Sequence, residues 1–303
     1  MNFRISILLF VLCILCQSCF TGIESTKKIK FDDSDKENEQ IISQEQLLLS
    51  HIKRQPFDQW EYGKEFVVTD DKISLIFNNN NSLSGDTIMY IGHSTYTYIN
   101  GTTATQILFS HNNCDTLVYT SNLSPQELAL SKSFEIPFTI QLSLVNDVRQ
   151  SLLGKEFYTI TSLAYDKMNN NISQPKFLAV TINDVTAGNS LYPIKISYTG
   201  SEGHSASVYM TIGNKLQSTR NFDTLFSLTN PRDKYPKITD AHWHNITHNI
   251  VSQGMTKEEC RLSLGTPLSI DRMPSNAGVI ELWKYNHGAQ LIFEDGILKN
   301  YKR

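Results

Sequence analysis

The middle of the chain, from about residue 57 to residue 237, is a series of short hydrophobic runs separated by clusters of Asn, Gly and Ser. The runs are rich in β-branched and aromatic side chains and either alternate with polar residues or are continuous, which is typical of β-strands. Short strands at this spacing predict small barrels or sandwiches. The predicted strands are Phe66–Val68, Ile73–Phe77, Thr87–Ile91, Gln106–Phe109, Phe138–Leu144, Phe177–Ile182, Ile194–Tyr198 and Ser207–Ile212.

Two short sequences each occur twice in this β-rich region, and they keep the same order. Gly63–Phe66 recurs as Gly154–Phe157, and Asp115–Leu117 recurs as Asp223–Leu225. Two short sequences that recur in the same order, here called landmarks, indicate a duplication, although short strings also recur by chance. On the first interpretation, the β-rich region consists of two related modules.

After residue 238 the hydrophobic spacing becomes that of helices. The apolar positions of Thr239–Val251 share one helix face. Thr256 and Glu259 have the spacing of a capping box, which predicts the start of a second helix, and Gly265 supplies its end. A predicted antiparallel meander follows, with strands Val279–Tyr285, Ala289–Phe293 and Ile297–Tyr301.

The N-terminal residues have the pattern of a secretory signal. Arg4 precedes the mostly apolar run Ile5–Leu15, which is too short to span about 30 Å of hydrocarbon comfortably. Ser18 before Cys19 resembles the bacterial lipoprotein cleavage site, where the cysteine receives the lipid. We therefore expect a signal peptide over residues 1–18 and lipidation of Cys19. A plain secretory signal and a buried apolar helix are the alternatives.

These patterns together predict a multidomain α+β protein. A polar tether with a short amphipathic helix over Ile41–Arg54 would span residues 19–56. The two β-rich, barrel- or sandwich-like modules would span residues 57–148 and 149–237. A C-terminal domain of two helices and three antiparallel strands would span residues 238–303.

Composition and charge narrow the function classes. The chain has 303 residues, of which 40% are hydrophobic, so a wholly disordered chain is excluded. Its net charge of -3 offers no general attraction to nucleic acid. No stretch outside the first twenty residues resembles a membrane span, which argues against a multi-span membrane protein.

The five cysteines give no disulfide framework. Cys13 and Cys16 would leave with the signal peptide, and Cys19 would carry the lipid. Cys114 and Cys260 remain, and two distant cysteines are either small buried side chains or a single bridge.

The C-terminal part of the chain contains, in this order, the segments Gly254–Thr256, Leu264–Pro267, Glu281–Tyr285 and Leu291–Leu298. Through these segments it resembles the SmpA/OmlA family, the BamE-like lipoprotein domain. The resemblance covers roughly Thr239–Tyr301. It implies a two-helix, three-strand domain in a Gram-negative outer-membrane lipoprotein that binds proteins and does not catalyse a reaction.

The residues show no convincing catalytic or metal-binding set. His244 and His248 are spaced to share a helix face, but His242 points away from both, so the three do not converge on a zinc ion. A buried position is expected for Cys260, which argues against a reactive thiolate. We therefore expect neither enzymatic activity, nor a cofactor, nor a bound metal. Trp283, Tyr285 and Phe293 are expected in a core rather than in an exposed aromatic patch.

These observations favour a non-catalytic cell-envelope lipoprotein that binds another envelope protein. Outer-membrane assembly or maintenance is the expected setting, on the periplasmic or the exterior face. The alternative is a peptidoglycan- or glycan-binding module, which would be supported by Tyr96, Tyr98 and Tyr192 on one barrel face. The expected contacts are an envelope protein and, through the lipid, the membrane. Nucleic acid and small-molecule ligands are not expected.

Overall fold

The computed structural model describes most of the chain after residue 42, and it contains three antiparallel sheets. The residues described are 43–78, 81–112, 115–132, 134–200, 203–213, 220–275, 278–286 and 288–302. The signal peptide, Cys19 and Cys114 lie outside them. Within these ranges no helix is both long and apolar enough to cross a membrane.

The first sheet has five strands in the order β4-β3-β2-β1-β5. Its buried face packs against α2 (Ile73–Phe77), α3 (Pro125–Leu130) and a short 3-10 turn at Phe57–Gln59. The core between them is aromatic and includes Phe66 and Phe109. The strands are β1 (Glu65–Val68), β2 (Thr87–Thr97), β3 (Thr103–His111), β4 (Asp115–Ser121) and β5 (Thr139–Gln141).

The second sheet has seven strands in the order β12-β6-β9-β10-β11-β7-β8. One face is covered by α4 (Leu142–Leu152), whose buried residues are spaced for a single helix face. The short helix α5 (Phe222–Leu225) completes this core. The strands are β6 (Glu156–Thr159), β7 (Leu163–Tyr165), β8 (Asn171–Ser173), β9 (Ala179–Ala187), β10 (Ile194–Gly200), β11 (Ser205–Met210) and β12 (Phe226–Ser227).

Five strands of the second sheet have the same order as the five strands of the first. β12-β6-β9-β10-β11 corresponds to β5-β1-β2-β3-β4, and all the pairings are antiparallel. The repeated Gly-Lys-Glu-Phe sequence starts the corresponding strands β1 and β6. The backbone N–H of Gly63 donates to the Tyr90 carbonyl, and that of Gly154 donates to the Ile182 carbonyl, both at 2.9 Å.

The second repeated landmark is not structurally equivalent. Asp115–Leu117 lies in strand β4, whereas Asp223–Leu225 lies in helix α5. The two sheets therefore match through the first landmark and through topology, while the second string recurs in unrelated structure.

The third sheet is a four-stranded meander in the order β13-β14-β15-β16. Helices α6 (Asp240–Thr247) and α7 (Lys257–Leu264) precede it and share its core, where Trp283 and Phe293 are buried. α7 begins with the capping box of Thr256 and Glu259. The strands are β13 (Ser269–Ser275), β14 (Gly278–Lys284), β15 (Gln290–Glu294) and β16 (Ile297–Lys302).

The predicted fold class is wrong both for the two β-rich modules and for the C-terminal domain. The described protein is mostly β, and its first two sheets are open: each buries one face under helices, so neither is a barrel or a sandwich. The C-terminus consists of four strands rather than three. Strand β13 was missed because Asp271, Arg272 and Pro274 give it no apolar run.

The predicted C-terminal two-helix domain is not found either. α6 and α7 have eight residues each, and their core also includes Phe177, which comes from the second sheet's part of the chain. The Phe177 ring stacks on Trp243 with the centroids 5.6 Å apart. Lys176 extends this contact, because its Nζ donates to the Ser263 carbonyl at the end of α7 at 2.6 Å.

The first and second sheets are joined without a linker. β5 ends at Gln141, and α4, which covers the second sheet, begins at Leu142. The short helix α1 (Gln44–Leu48) is followed by Leu49 and Ile52, both buried in the core of the second sheet although they precede the first.

Candidate functional site

The β2–β3 hairpin of the first sheet carries a long stretch without formal charge. No Asp, Glu, Lys or Arg occurs between Asp86 and Asp115. The end of β2 is exposed, and Tyr96 and Tyr98 present their rings there edge to face, with centroids 5.0 Å apart. Ile99 at the tip is fully exposed. This part of the hairpin is therefore solvent-exposed, uncharged and rich in aromatic and hydroxyl side chains.

Strand β4 forms a free edge of the same sheet. β3 pairs with one side of β4, and no described strand pairs with the other. Thr116 and Thr120 of β4 are exposed, and Asp115 is its only charged residue. Exposed edges usually carry charges or Pro that prevent pairing with another chain, and β4 has only this one charge. We call β4 together with residues 96–99 the neutral edge.

A second surface feature is a polar cleft between the first sheet and α4. Its volume is about 410 Å³, which is within the range of small-ligand sites. We call it the Lys64 cleft, because the Lys64 ammonium group reaches from the first sheet to α4. Its lining residues are Gln55, Gln59, Glu61, Tyr62, Gly63, Lys64, Glu65, Leu142, Ser143 and Asn146.

The base of the Lys64 cleft is held by hydrogen bonds. Lys64 Nζ donates to the side-chain oxygen of Gln55 and, at 3.3 Å, to Ser143 Oγ of α4. The Gln55 carbonyl accepts from Trp60 Nε1 at 3.1 Å and from Gln141 Nε2 at 2.9 Å. Partial burial lowers the pKa of Lys64, and the nearby Asp147 carboxylate opposes that shift.

Most polar side chains around the rim of this cleft have no protein partner. Within the described ranges, the side chains of Gln59, Glu61, Glu65 and Asn146 make no hydrogen bond or ion pair. Tyr62 is 76% exposed, so its ring is open to solvent. The rim thus offers amide donors, carboxylate acceptors and an aromatic face to a ligand.

Two of the three clustered histidines make local hydrogen bonds through their side chains, and the ring of the third, His244, lies against that of His248 with the centroids 4.2 Å apart. His242 Nδ1 lies 2.9 Å from Glu259 Oε1, and His248 Nδ1 lies 2.8 Å from the His244 carbonyl oxygen. Across the described residues, no three His, Cys, Asp or Glu side chains are grouped to hold a metal ion.

Cys260 lies in the core of the third sheet and is completely buried. Burial raises the pKa of its thiol to about 12, and the neighbouring Glu259 carboxylate adds to this effect. The side chain is therefore a protonated thiol at neutral pH. Cys260 is free, and Cys114 lies outside the described residues.

Glu281 is a buried carboxylate beside Trp283 in the same core. It accepts from Trp283 Nε1 and Lys257 Nζ, each at 2.9 Å, and from Arg272 Nε at 3.0 Å. Burial raises its pKa, but these hydrogen bonds outweigh that effect and bring the pKa down to about 2. The group holds the sheet to α7, since Lys257 belongs to that helix.

The aromatic residues singled out in the sequence lie in different surroundings. Trp283 and Phe293 are core residues, and Tyr285 is half-buried at their margin. Tyr96 and Tyr98 are exposed on the first sheet. Tyr192 instead follows β9 of the second sheet, where the centroid of its ring lies 4.3 Å from Arg220 Cζ. The three tyrosines proposed for glycan binding therefore do not share one face.

The free side of β4 and the Lys64 cleft were not predicted from the sequence, although Tyr96 and Tyr98 were singled out as candidate binding residues. The uncharged stretch between Asp86 and Asp115 was visible as a compositional signal, whereas the cleft was not. Lys64 and Ser143 are 79 residues apart in the chain and meet only in the fold.

The chain was compared with models of known protein families, with curated proteins and with solved structures, and none of the three comparisons gave a match.

Proposed function

We propose that this chain is a non-catalytic cell-envelope lipoprotein that binds another envelope protein through the neutral edge. The observation that carries the proposal is the combination of an edge strand, β4, whose outer side pairs with no described strand, and an exposed hairpin of the same sheet that has no formal charge. Depletion of charge and enrichment of tyrosine are the compositional marks of interface cores.

The geometry supports pairing with a strand of the partner. The free N–H and C=O groups of β4 offer main-chain hydrogen bonds to an extended segment. Tyr96, Tyr98 and Ile99 add exposed apolar area at the tip of the β2–β3 hairpin of the same sheet, and tyrosine side chains often carry a large share of interface binding energy. A partner segment rich in β-branched residues and without strong charge fits this surface.

The membrane attachment in the proposal depends on Cys19, for which Ser18-Cys19 after the apolar run is the support. Metabolic labelling with a radioactive fatty acid tests this part separately. The chain is expected to incorporate label, and the Cys19→Ser variant is expected to lose it. Equal labelling of both would contradict lipidation at this residue.

Protein binding is tested by photo-crosslinking in intact cells that express the full chain. A benzophenone amino acid at Tyr98 is expected to give a discrete adduct with a second protein, which mass spectrometry identifies. The same group at Ser173, exposed on the edge strand β8 of the second sheet, is the matched control. Adducts at Ser173 alone, or at neither position, would contradict the proposal.

A charge placed on the edge tests the binding mode. Thr120→Lys puts a cation on β4 and is expected to reduce the Tyr98 adduct strongly, because a lysine on an edge strand opposes pairing. Ser173→Lys makes the same change on β8 and is expected to leave the adduct intact. An adduct of two copies of this chain would show self-association in place of a separate partner.

A further inference from the structure

We propose that the Lys64 cleft binds a neutral oligosaccharide, a function beyond the protein binding proposed for the neutral edge. The ring of Tyr62 would stack against the C–H face of a sugar. The Lys64 ammonium and the side chains of Gln59 and Asn146 would bind its hydroxyl or acetamido groups.

The size and the lining of the cleft favour a small polar ligand over a protein chain. A volume of about 410 Å³ is that of a small-molecule site, whereas a protein partner buries a broad surface. The lining is mainly polar, and apolar drug-like ligands bind in mostly apolar pockets. The exposed Tyr62 ring is the one large aromatic surface among the lining residues.

The charge of the lining favours a neutral ligand over an anion. Lys64 is its only cation, and Glu61 and Glu65 are both part of the same lining. The Asp147 carboxylate also acts on Lys64, so the ammonium is balanced before a ligand arrives. A phosphate or carboxylate ligand would therefore meet a net negative rim.

A sugar matches the kinds of hydrogen-bonding group that the rim offers. Each sugar hydroxyl can both donate and accept a hydrogen bond. The several hydroxyls of one sugar ring can therefore accept from an amide N–H and from the ammonium group and donate to a carboxylate oxygen. Glu61 and Glu65 accept from hydroxyls without needing a cationic ligand. The Lys64 ammonium is already held by the Gln55 side-chain oxygen and by Ser143 Oγ, which lowers the ordering cost of binding.

The duplication provides a matched internal control. Lys155 occupies the same place in the second Gly-Lys-Glu-Phe sequence as Lys64 in the first. Lys155 is exposed and is not among the residues that line the Lys64 cleft. A change at Lys155 removes the same charge from the same local sequence without touching the cleft.

The test is isothermal titration of the full chain in detergent with two probes. These are the tetrasaccharide of β-1,4-linked N-acetylglucosamine and the corresponding glucose tetrasaccharide. Binding of at least one probe is expected. Tyr62→Ala and Lys64→Met are each expected to weaken that binding roughly tenfold or more, because each removes a main contact with the sugar. Lys155→Met is expected to bind like the wild type.

Three results would overturn the assignment of the sugar site to the Lys64 cleft. The first is that neither tetrasaccharide binds at millimolar concentration. The second is unchanged binding by Tyr62→Ala and Lys64→Met, and the third is an equal loss of binding in Lys155→Met. Circular dichroism spectra of the variants should match the wild type, since Tyr62 and Lys155 are exposed. The neutral edge lies elsewhere on the sheet, so its crosslinks test the protein partner independently.

Discussion

The Glu281 carboxylate is expected to make the third sheet sensitive to acid. Its side chain is 7% exposed, and its pKa falls from an ordinary value of 4.5 to about 2. That difference corresponds to about 3 kcal/mol of folded-state stability. Because the folded pKa is the lower one, this stability is present above pH 4.5. It is lost as the pH falls from 4.5 to about 2.

The Glu281→Gln variant isolates this contribution. At pH 7 it should be roughly 3 kcal/mol less stable than the wild type, because Lys257 loses its buried counter-charge. At pH 2 the two proteins should have nearly equal stability, since Glu281 is then protonated in about half of the folded wild-type molecules. Urea unfolding, followed by circular dichroism at several pH values between 7 and 2, measures the difference.

The control is Glu294→Gln, a change at an exposed carboxylate on the neighbouring strand β15. It should leave both the stability and its pH dependence close to those of the wild type. If Glu281→Gln and the wild type lose stability in parallel between pH 4.5 and 2, the hydrogen-bond network around Glu281 does not carry the stated energy.

Three further experiments probe other buried side chains. Burial lowers the pKa of Lys176 from 10.5 to about 8, so the contribution of this lysine to stability should rise as the pH rises from 8 towards 10.5, where the unfolded chain still holds its proton. Thermal melts at several pH values should therefore show the difference in stability between the wild type and Lys176→Met changing in favour of the wild type over this range. Leu128→Ala should cost about 2–5 kcal/mol in urea unfolding, whereas Leu130→Ala, two residues further on and 82% exposed, should change stability by less than about 0.5 kcal/mol. Iodoacetamide at pH 8 should modify Cys260 only after unfolding, as peptide mass spectrometry would show; rapid labelling of the folded chain would contradict its burial.

The local sequence pattern was sufficient to predict the last three strands of the chain. Their observed bounds lie within one residue of the predicted ones. The alternation of apolar and polar residues is regular there, and Asp295-Gly296 has positive φ at both residues, as a tight hairpin turn requires. The pattern did not reveal that a fourth strand pairs with this meander.

Short apolar runs led to wrong predictions in the first two sheets. Ile73–Phe77 was predicted as a strand and forms the helix α2, because a five-residue run with four apolar side chains fits either structure. Phe138–Leu144 was predicted as one strand, but β5 ends at Gln141 and α4 begins at the next residue. The helical spacing of Leu144, Val145 and Val148 becomes visible only when the run is followed beyond Leu144.

The candidate sites also differ in how far the local sequence reveals them. The uncharged stretch of the hairpin is a property of consecutive residues and could have been found in the sequence. The free side of β4 and the Lys64 cleft depend on strand order and on helix placement, which local sequence does not specify.

The position of Leu49 and Ile52 restricts how this protein can be cut into pieces. These residues come before the first sheet in the chain, yet they complete the interior of the second. A fragment that begins after residue 56 would lack Leu49 and Ile52 and would leave a cavity in the core of the second sheet. A fragment that ends before α4 would expose both side chains to water. The second sheet therefore depends on residues that precede the first, so the part of the chain that forms it is not expected to fold stably when it is transferred alone into another protein.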